Sequence, residues 1–416
     1  MTQGALATLA IVVATIGGVL ARPFRLPEYV FAIAGAAALL ALGLLPLPEA
    51  WTAVAKGYDV YLFLIGMMLL AEVARQEGLF DWIAGHAAHA ARGSARRLFA
   101  LVYIVGIVVT AFLSNDATAV VLTPAVYAVA RAARVEPLPY LYICAFIANA
   151  ASFVLPISNP ANLVVYGERL PALLPWIKTF ALPSIAAILA TYLVLRWTQR
   201  RALEQPLGLA PDIAPLSSAG RAAGVTLILA AVVLVGVSAL GRDLGLPTLG
   251  CGFLSLVAAC AIAMRSPLPV LRHVAWGVLP LVAGLFVLVA GLEHVGAIRV
   301  FADLLTGSET RAPNQTAFLA GLAAGVGANV VNNLPLGLLA GAAGQAAQAP
   351  DKVMAGLLIG VDLGPNLSVT GSLATLLWLI AIRREGEHVG ALRFLGLGAL
   401  VMPPALLLAL AALVLV

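Results

Sequence analysis

The sequence predicts an all-α polytopic membrane protein: ten transmembrane helices plus two re-entrant hairpins in two inverted-topology repeats. Three observations lead there. The 416 residues are 62% hydrophobic and 10% charged, with a mean hydropathy of +1.02, more apolar surface than a soluble domain can bury. The apolar stretches are continuous runs of Ala, Leu, Val and Gly, without the alternation of a transmembrane barrel. Two runs are interrupted by polar residues, Ser114-Asn115-Asp116 and Asn332-Asn333-Leu334-Pro335, at corresponding places in the two halves of the chain. Polar groups at membrane depth are costly and mark function, and paired interruptions point to a transporter's solute site.

A crossing needs about 20 apolar residues. Spans are expected at about 4–21, 28–45, 58–76, 138–168 and 173–195, then at about 222–240, 246–264, 275–292, 353–381 and 391–415. Met1 to Leu20 has no basic leader and reads as the first span. Between the third and fourth spans of each half lies an apolar pair, 98–113 with 117–130 and 315–331 with 335–347, hinged on the polar interruptions. Bare backbone cannot face lipid, so both tips are expected to be buried in protein.

Charge supports this layout. With the N-terminus outside, Lys56, Arg169, Lys178, Arg242, Arg299, Arg311 and Lys352 lie outside, and the other 17 of the 24 basic residues lie in the cytoplasm. Both termini then face the outer side of the cell (inner) membrane. The first hairpin, about 98–130, opens to the cytoplasm and the second, about 315–347, opens outward. An odd number of spans per half inverts the second: residues 1–200 form one repeat, 201–220 a cytoplasmic linker with Pro206, Pro211 and Pro215, and 221–416 the other repeat. Weak echoes accompany it. Glu72 precedes Phe80 by eight residues as Glu293 precedes Phe301, and Asn162-Leu163 with Gly167 matches Asn366-Leu367 with Gly371.

Each half also breaks its fourth span, at Pro156-Ile157-Ser158-Asn159-Pro160-Ala161-Asn162 and at Asp362-Leu363-Gly364-Pro365-Asn366. Proline removes a donor and glycine permits unwinding, so free N–H and C=O groups face the midplane. Asparagine, serine and threonine both donate and accept there. Asn115, Ser158, Asn159, Asn162, Asn332, Asn333, Asn366 and Thr370 are the candidate solute-binding residues. Such a cage has little net charge and suits a compact, hydroxyl-bearing neutral solute. Asp116 and Asp362 have no basic residue within four positions and are the candidate proton-coupling residues.

Each candidate also has a structural alternative. Asn115, Asp116 and Asn333 can cap hairpin helices. Ser158, Asn159, Asn162 and Asp362 can bond the breaks, and Ser368, Thr370 and Ser372 can bond back along a helix. Glu72 has Arg75 three residues on, a surface ion pair, whereas Glu293 has no clear partner. His86 and His89 lack a third ligand nearby and read as a solvated helix face; Cys144, Cys251 and Cys260 read as core residues. No resident metal or cofactor is expected. Neither H-E-x-x-H nor G-x-S-x-G occurs, so the chain is not read as an enzyme.

At SNDATAVVLTPAV (114–126), ISNPANLV (157–164), NNLPLGLLAG (332–341) and DLGPNLSVTGSLATLLWL (362–379), the chain resembles the ArsB-type arsenite/antimonite efflux permeases of the ion transporter superfamily. The last run is the most specific. The resemblance implies secondary active export of trivalent arsenite and antimonite hydroxides by proton antiport and alternating access. It also implies hairpins and broken helices that move as an elevator against a scaffold. The expected partners are the metalloid hydroxide, protons and the lipid bilayer. A soluble cytoplasmic arsenite-stimulated ATPase and a homodimer are the protein partners considered, with no nucleic acid. Carboxylate transporters of the superfamily carry a Ser-Asn-Thr type motif at both tips, and Asp116 here would repel a dicarboxylate. The alternatives are an exporter of silicic or boric acid and a sodium-coupled ion or organic-anion transporter. Tight trithiolate binding would slow release. Hydroxyl recognition by Asn115, Asn159, Asn162, Asn333 and Asn366 is therefore favoured over the cysteines.

Overall fold

A computed structural model describes residues 3–205, 207–208, 214–306 and 313–416. Met1, Pro206, Pro211 and Arg311, which enter the expectations above, lie outside the described residues. Regular structure is helical throughout the described residues. Helix α1 (Gln3–Ala21) turns into α2 (Glu28–Ala41) where Arg22 pairs with Glu28. Helix α3 (Leu47–Lys56) leads through Gly57 into α4 (Tyr58–Gln76), followed by α5 (Leu79–Ala90). Then come α6 (Ala95–Phe112), α7 (Asn115–Ala117), a π-helical turn at Thr118–Leu122 and α8 (Thr123–Ala132). The first broken helix is α9 (Leu138–Ala150), a 3-10 turn at Pro156–Ser158 and α10 (Pro160–Tyr166); α11 (Leu173–Thr198) ends this half.

The order of elements then recurs. Helices α12 (Ser218–Ala239), α13 (Gly245–Ala263) and α14 (Leu268–His273) precede α15 (Val278–His294) and α16 (Ala297–Thr306). Helices α17 (Pro313–Val331) and α18 (Asn333–Ala346) follow. The second broken helix is α19 (Asp351–Leu363), a 3-10 turn at Gly364–Leu367 and α20 (Leu373–Arg384), before α21 (Ala391–Leu415).

Six of these helices, α1, α6, α11, α12, α13 and α21, are long and apolar enough to cross a bilayer. Two bent pairs, α3–α4 at 46° and α15 with the start of α16 at 78°, raise that to eight. The chain is an all-α, multi-span membrane protein. Helix α6 is among the six, although the sequence reading makes it a hairpin arm. Helices α3, α5, α14 and α16 lie outside the expected spans. They are too short to register in a membrane-length window and carry polar residues on one face. In α5, Leu79, Phe80 and Ala84 are buried while His86 and His89 are exposed.

Small residues let the helices approach. In the absence of a hydrophobic drive between helices in lipid, close backbone packing supplies the attraction. Gly356, Gly360 and Gly364 lie against the backbone carbonyls of Ala317, Gly321 and Gly325. Both sets rise together in number, so α17 and α19 run parallel along a glycine seam. Gly66 of α4 lies against Thr248 of α13, and Gly284 of α15 against Ala32 of α2. The second helix of each half therefore packs on the other half.

Contacts sort the turns into two groups. One group joins Ser217 to Glu77 (3.4 Å), Arg96 to Glu204 (3.5 Å), Leu207 N–H to Gly93 O (3.4 Å) and Gly208 N–H to Ala133 O (2.8 Å). The other joins Gly245 N–H to Asp59 (2.6 Å), His294 to Glu49 (2.9 Å), Gln345 to Tyr166 O (3.3 Å) and Lys352 to Val414 O (3.5 Å). At the end of α4, Arg75 and Gln76 donate to Glu72 at 2.6 and 2.7 Å.

The seam is testable. Gly360→Leu drives a side chain into the α17 backbone and is expected to destabilise by at least the roughly 1–3 kcal/mol of ordinary overpacking. Gly396→Leu, at a glycine with no neighbour within 4 Å, leaves stability unchanged. Thermal unfolding of purified protein in detergent checks both.

Candidate functional site

The site is built from two tips and two breaks. At the first tip the chain leaves α6 at Leu113, and the Ser114 hydroxyl accepts from Ala117 N–H at 3.2 Å. Ser114, not Asn115 or Asp116, is the cap. The Asn115 carbonyl oxygen Oδ1 accepts from Asp116 N–H at 2.9 Å. Thr110 and Thr118 hydroxyls lie 2.8 Å apart across the reversal and clamp the two arms together.

At the second tip Asn332 adopts φ 77 and ψ 151. That region belongs almost only to glycine and costs of order 1–3 kcal/mol. Three bonds hold Asn332 and its neighbour there. Asn332 Nδ2 donates to Thr370 O (3.1 Å), Oδ1 accepts from Leu334 N–H (3.4 Å), and Asn333 N–H donates to Gly371 O (2.8 Å). The cap is again the neighbour, which leaves the Asn333 side chain without a hydrogen bond among the described residues.

The two broken helices cross at their breaks and are bonded to each other there. Asn149 Nδ2 donates to Asn366 Oδ1 at 3.0 Å, and Asn366 Nδ2 donates to Phe146 O at 3.0 Å. Asn159 Nδ2 donates to Asp362 Oδ1 at 2.8 Å, while Asn159 Oδ1 caps α10 through Ala161 N–H. Asn149, Asn162, Asp362 and Asn366 are fully buried. Asn162 Nδ2 reaches the carbonyls of Ser152, Leu155 and Pro156, and Ser158 bonds Leu155 N–H and Ala111 O. The Thr370 hydroxyl lies on Asn329 O and the Ser368 hydroxyl.

Between the elements lies a cavity of about 20 Å³, room for about one water molecule. Asn115 and Asp116 reach it from the first tip, Asn333 and Leu334 from the second, and Asn159 with Pro160 from the first break. Leu373 and Ala374 of α20 close one side, and Leu64 of α4 with Val278 and Val282 of α15 form an apolar wall. Among the described residues, no cation and no cysteine lines it. The structure thus brings together Asn115, Asp116, Asn159 and Asn333. Asp362 stands one hydrogen bond behind, through Asn159, and its Oδ2 has no partner among the described residues. Ser158, Asn162, Asn332, Asn366 and Thr370 do not line the cavity; they hold the tips and breaks in shape.

Sequence reading passed over Asn149 and Asn329. Asn329 Nδ2 joins Gly325 O and Gly364 O at 2.9 Å each, and its Oδ1 accepts from Ser368 at 2.8 Å. The available signal was a single amide within an otherwise apolar helix. Ser372, expected to bond back along a helix, instead caps α20 by accepting from Thr375 N–H at 3.1 Å.

Comparison with known proteins follows the same lines. The family model CitMHS, described as a citrate transporter, matches residues 10–385. An arsenical pump membrane protein of Escherichia coli is 28% identical over 385 residues, covering 89% of this chain and 88% of its own. The arsenical pump membrane protein of Yersinia enterocolitica is 27% identical over 389 residues with the same coverage. An uncharacterized transporter of Mycobacterium tuberculosis is 27% identical over 431 residues and covers 97% of both chains. The crystal structure of the Alcanivorax borkumensis YdaH transporter aligns over 100% of this chain and 98% of its own, with a TM-score of 0.62 and 15% identity. At that identity the likeness is one of fold.

The crossing of the breaks gives a prediction. Asn149→Ala leaves the buried Asn366 oxygen without its donor and is expected to cost about 1–3 kcal/mol. The double variant with Asn366→Ala should cost less than the sum of the two single changes. Unfolding of the purified protein with a double-mutant cycle measures this coupling.

Proposed function

The chain belongs to the CitMHS family of transporters, and from that premise we propose that it exports trivalent arsenite and antimonite hydroxides by proton-coupled antiport. It is a secondary transporter rather than an enzyme. One observation carries the choice of solute: the polar groups meeting at the two tips are amides and one carboxylate, with no cation in the wall among the described residues. A citrate-like polyanion would face Asp116 without any compensating charge. A small neutral hydroxide can donate to Asp116 and to the Asn115 and Asn333 amide oxygens, and accept from their N–H groups. The names of the Escherichia coli and Yersinia relatives agree with this solute.

The proposed architecture is ten spans and two re-entrant hairpins in inverted repeats, 1–200 and 221–416, joined by the cytoplasmic linker 201–220. Its support is the sorting of turns. Gly93 and Ala133, at the open ends of α6 and α8, both bond linker residues, so this unit returns to the side it left. Gly356 and Met354, both near the start of α19, touch α17 at Ala317 and α18 at Gly344, so the second unit opens at the other end. Helix α6, despite its length, is then a hairpin arm. Asp59, Glu49, Tyr166 and Val414 lie with the second group, which we assign to the outer side together with both termini.

In the proposed cycle Asp116 exchanges a proton for solute. Asn159 relays the state of the site to Asp362, a second proton-coupling group. Asn115, Asn159 and Asn333 would touch the solute directly, while Ser158, Asn162, Asn332, Asn366 and Thr370 shape the cage. The tips and breaks would move as one body against the apolar wall of Leu64, Val278 and Val282. A fixed pore would not need that division.

Expression in an arsenite-sensitive strain lacking its own pump tests the solute: resistance should rise and cellular arsenic should fall. Unchanged sensitivity with good membrane expression would favour silicic or boric acid, or sodium coupling. For Asp116, everted vesicles decide. Asp116→Asn is expected to reduce proton-driven arsenite uptake to the level of vesicles without the protein, with Asp116→Glu restoring part of it. Undiminished uptake by Asp116→Asn would remove the coupling role.

A further inference from the structure

We propose that a groove between α4, α13 and α14, separate from the cavity at the tips, binds one anionic phospholipid. The groove has a volume of about 580 Å³, within the roughly 300–1,000 Å³ of small-molecule sites. Leu69, Phe253, Leu256 and Leu271 form its body, with Cys260 on the wall and Arg265 at the rim.

The sequence builds this shape. Helix α13 is 19 residues long, a membrane thickness, and ends where Met264 turns left-handed at φ 51. Arg265 N–H then bonds back to Cys260 O at 3.0 Å, which sets Arg265 just beyond the last apolar turn. That is the depth of lipid headgroups. Just past α14 the Trp276 indole donates at 2.7 Å to the carbonyl of Leu271, which lines the groove, the placement of an interfacial aromatic. Arg272 and His273 are exposed on α14 at the same end.

Charge selects the occupant. Among the described residues, Arg265 is the one charged residue lining the groove, and it makes no ion pair with any of them. An acyl chain fits the apolar body, and a phosphate fits the guanidinium through charge-assisted hydrogen bonds. A neutral, zwitterionic lipid gives Arg265 a weaker counterion. A second copy of the chain, related by a two-fold axis through this face, would bring Arg265 towards its own mate with no carboxylate in the lining to separate them.

The test uses the full-length protein purified in detergent. It is incubated with phosphatidylglycerol, phosphatidylcholine or inorganic phosphate. Bound lipid is counted by native mass spectrometry while N-ethylmaleimide labels Cys260. Cys251, partly exposed but outside the groove, is the internal reference. Phosphatidylglycerol is expected to bind in preference to phosphatidylcholine and to slow labelling of Cys260 but not of Cys251. Arg265→Gln should weaken this about fivefold, the effect of one basic residue at a membrane surface. Ala261→Trp, which fills the groove from an exposed position, should abolish it. Equal binding of the two lipids, insensitive to Arg265→Gln, would overturn the proposal. Protection by inorganic phosphate alone would reduce the site to a small-anion site. A dimer that Ala261→Trp dissociates would give the groove to a second copy.

Discussion

Everything at the centre of this protein depends on satisfying backbone that helices have abandoned. Where α9 and α19 stop, carbonyls and amides are left buried in protein, away from bulk water. A lost hydrogen bond there carries the full desolvation penalty. The chain answers with asparagine. Asn162 gathers three carbonyls of the first break, Asn329 joins Gly325 and Gly364, and Asn149 with Asn366 ties one break to the other. The two crossed helices consequently share one polar junction. Neither break could exist in its present form without the other half of the chain.

The glycine seam between α17 and α19 extends this junction outward. Because Gly356, Gly360 and Gly364 carry no side chains, the second hairpin and its broken helix touch along their backbones. Backbone contact of this kind tolerates little sliding. The strained Asn332 tip, fixed to Thr370 and Gly371, adds a third attachment. Hairpin, break and seam are thereby one piece, and Leu64, Val278 and Val282 are the apolar residues that face its tip across the cavity.

Much of this was legible in the residues. The helix ranges were readable because apolar length is itself the physical constraint in a bilayer, and the breaks were readable because proline and glycine announce them. Asn115, Asp116, Asn159 and Asn333 stood out as amides and a carboxylate beside those breaks. The division of labour did not. Asn149 and Asn366 are 217 residues apart, and no periodicity connects them. Ser114 and Asn332 cap their helices where Asn115 and Asn333 were equally good caps by type, because which neighbour faces inward depends on tertiary packing. The short helices α3, α5, α14 and α16 escaped a search tuned to membrane thickness.

The cavity separates committed groups from uncommitted ones. Asn159 has both ends of its amide engaged, whereas the Asn115 amide nitrogen, the Asp116 carboxylate and the Asn333 side chain have no side-chain partner among the described residues. Only these three can be replaced without unpicking the junction behind them. A scaffold arranged in this way is open to retargeting. Changing two or three side chains at the tips can alter the charge of the cargo that fits, while the breaks, the seam and the folding that depends on them stay as they are. Transporters with different cargoes and one shared architecture are the outcome such a layout favours.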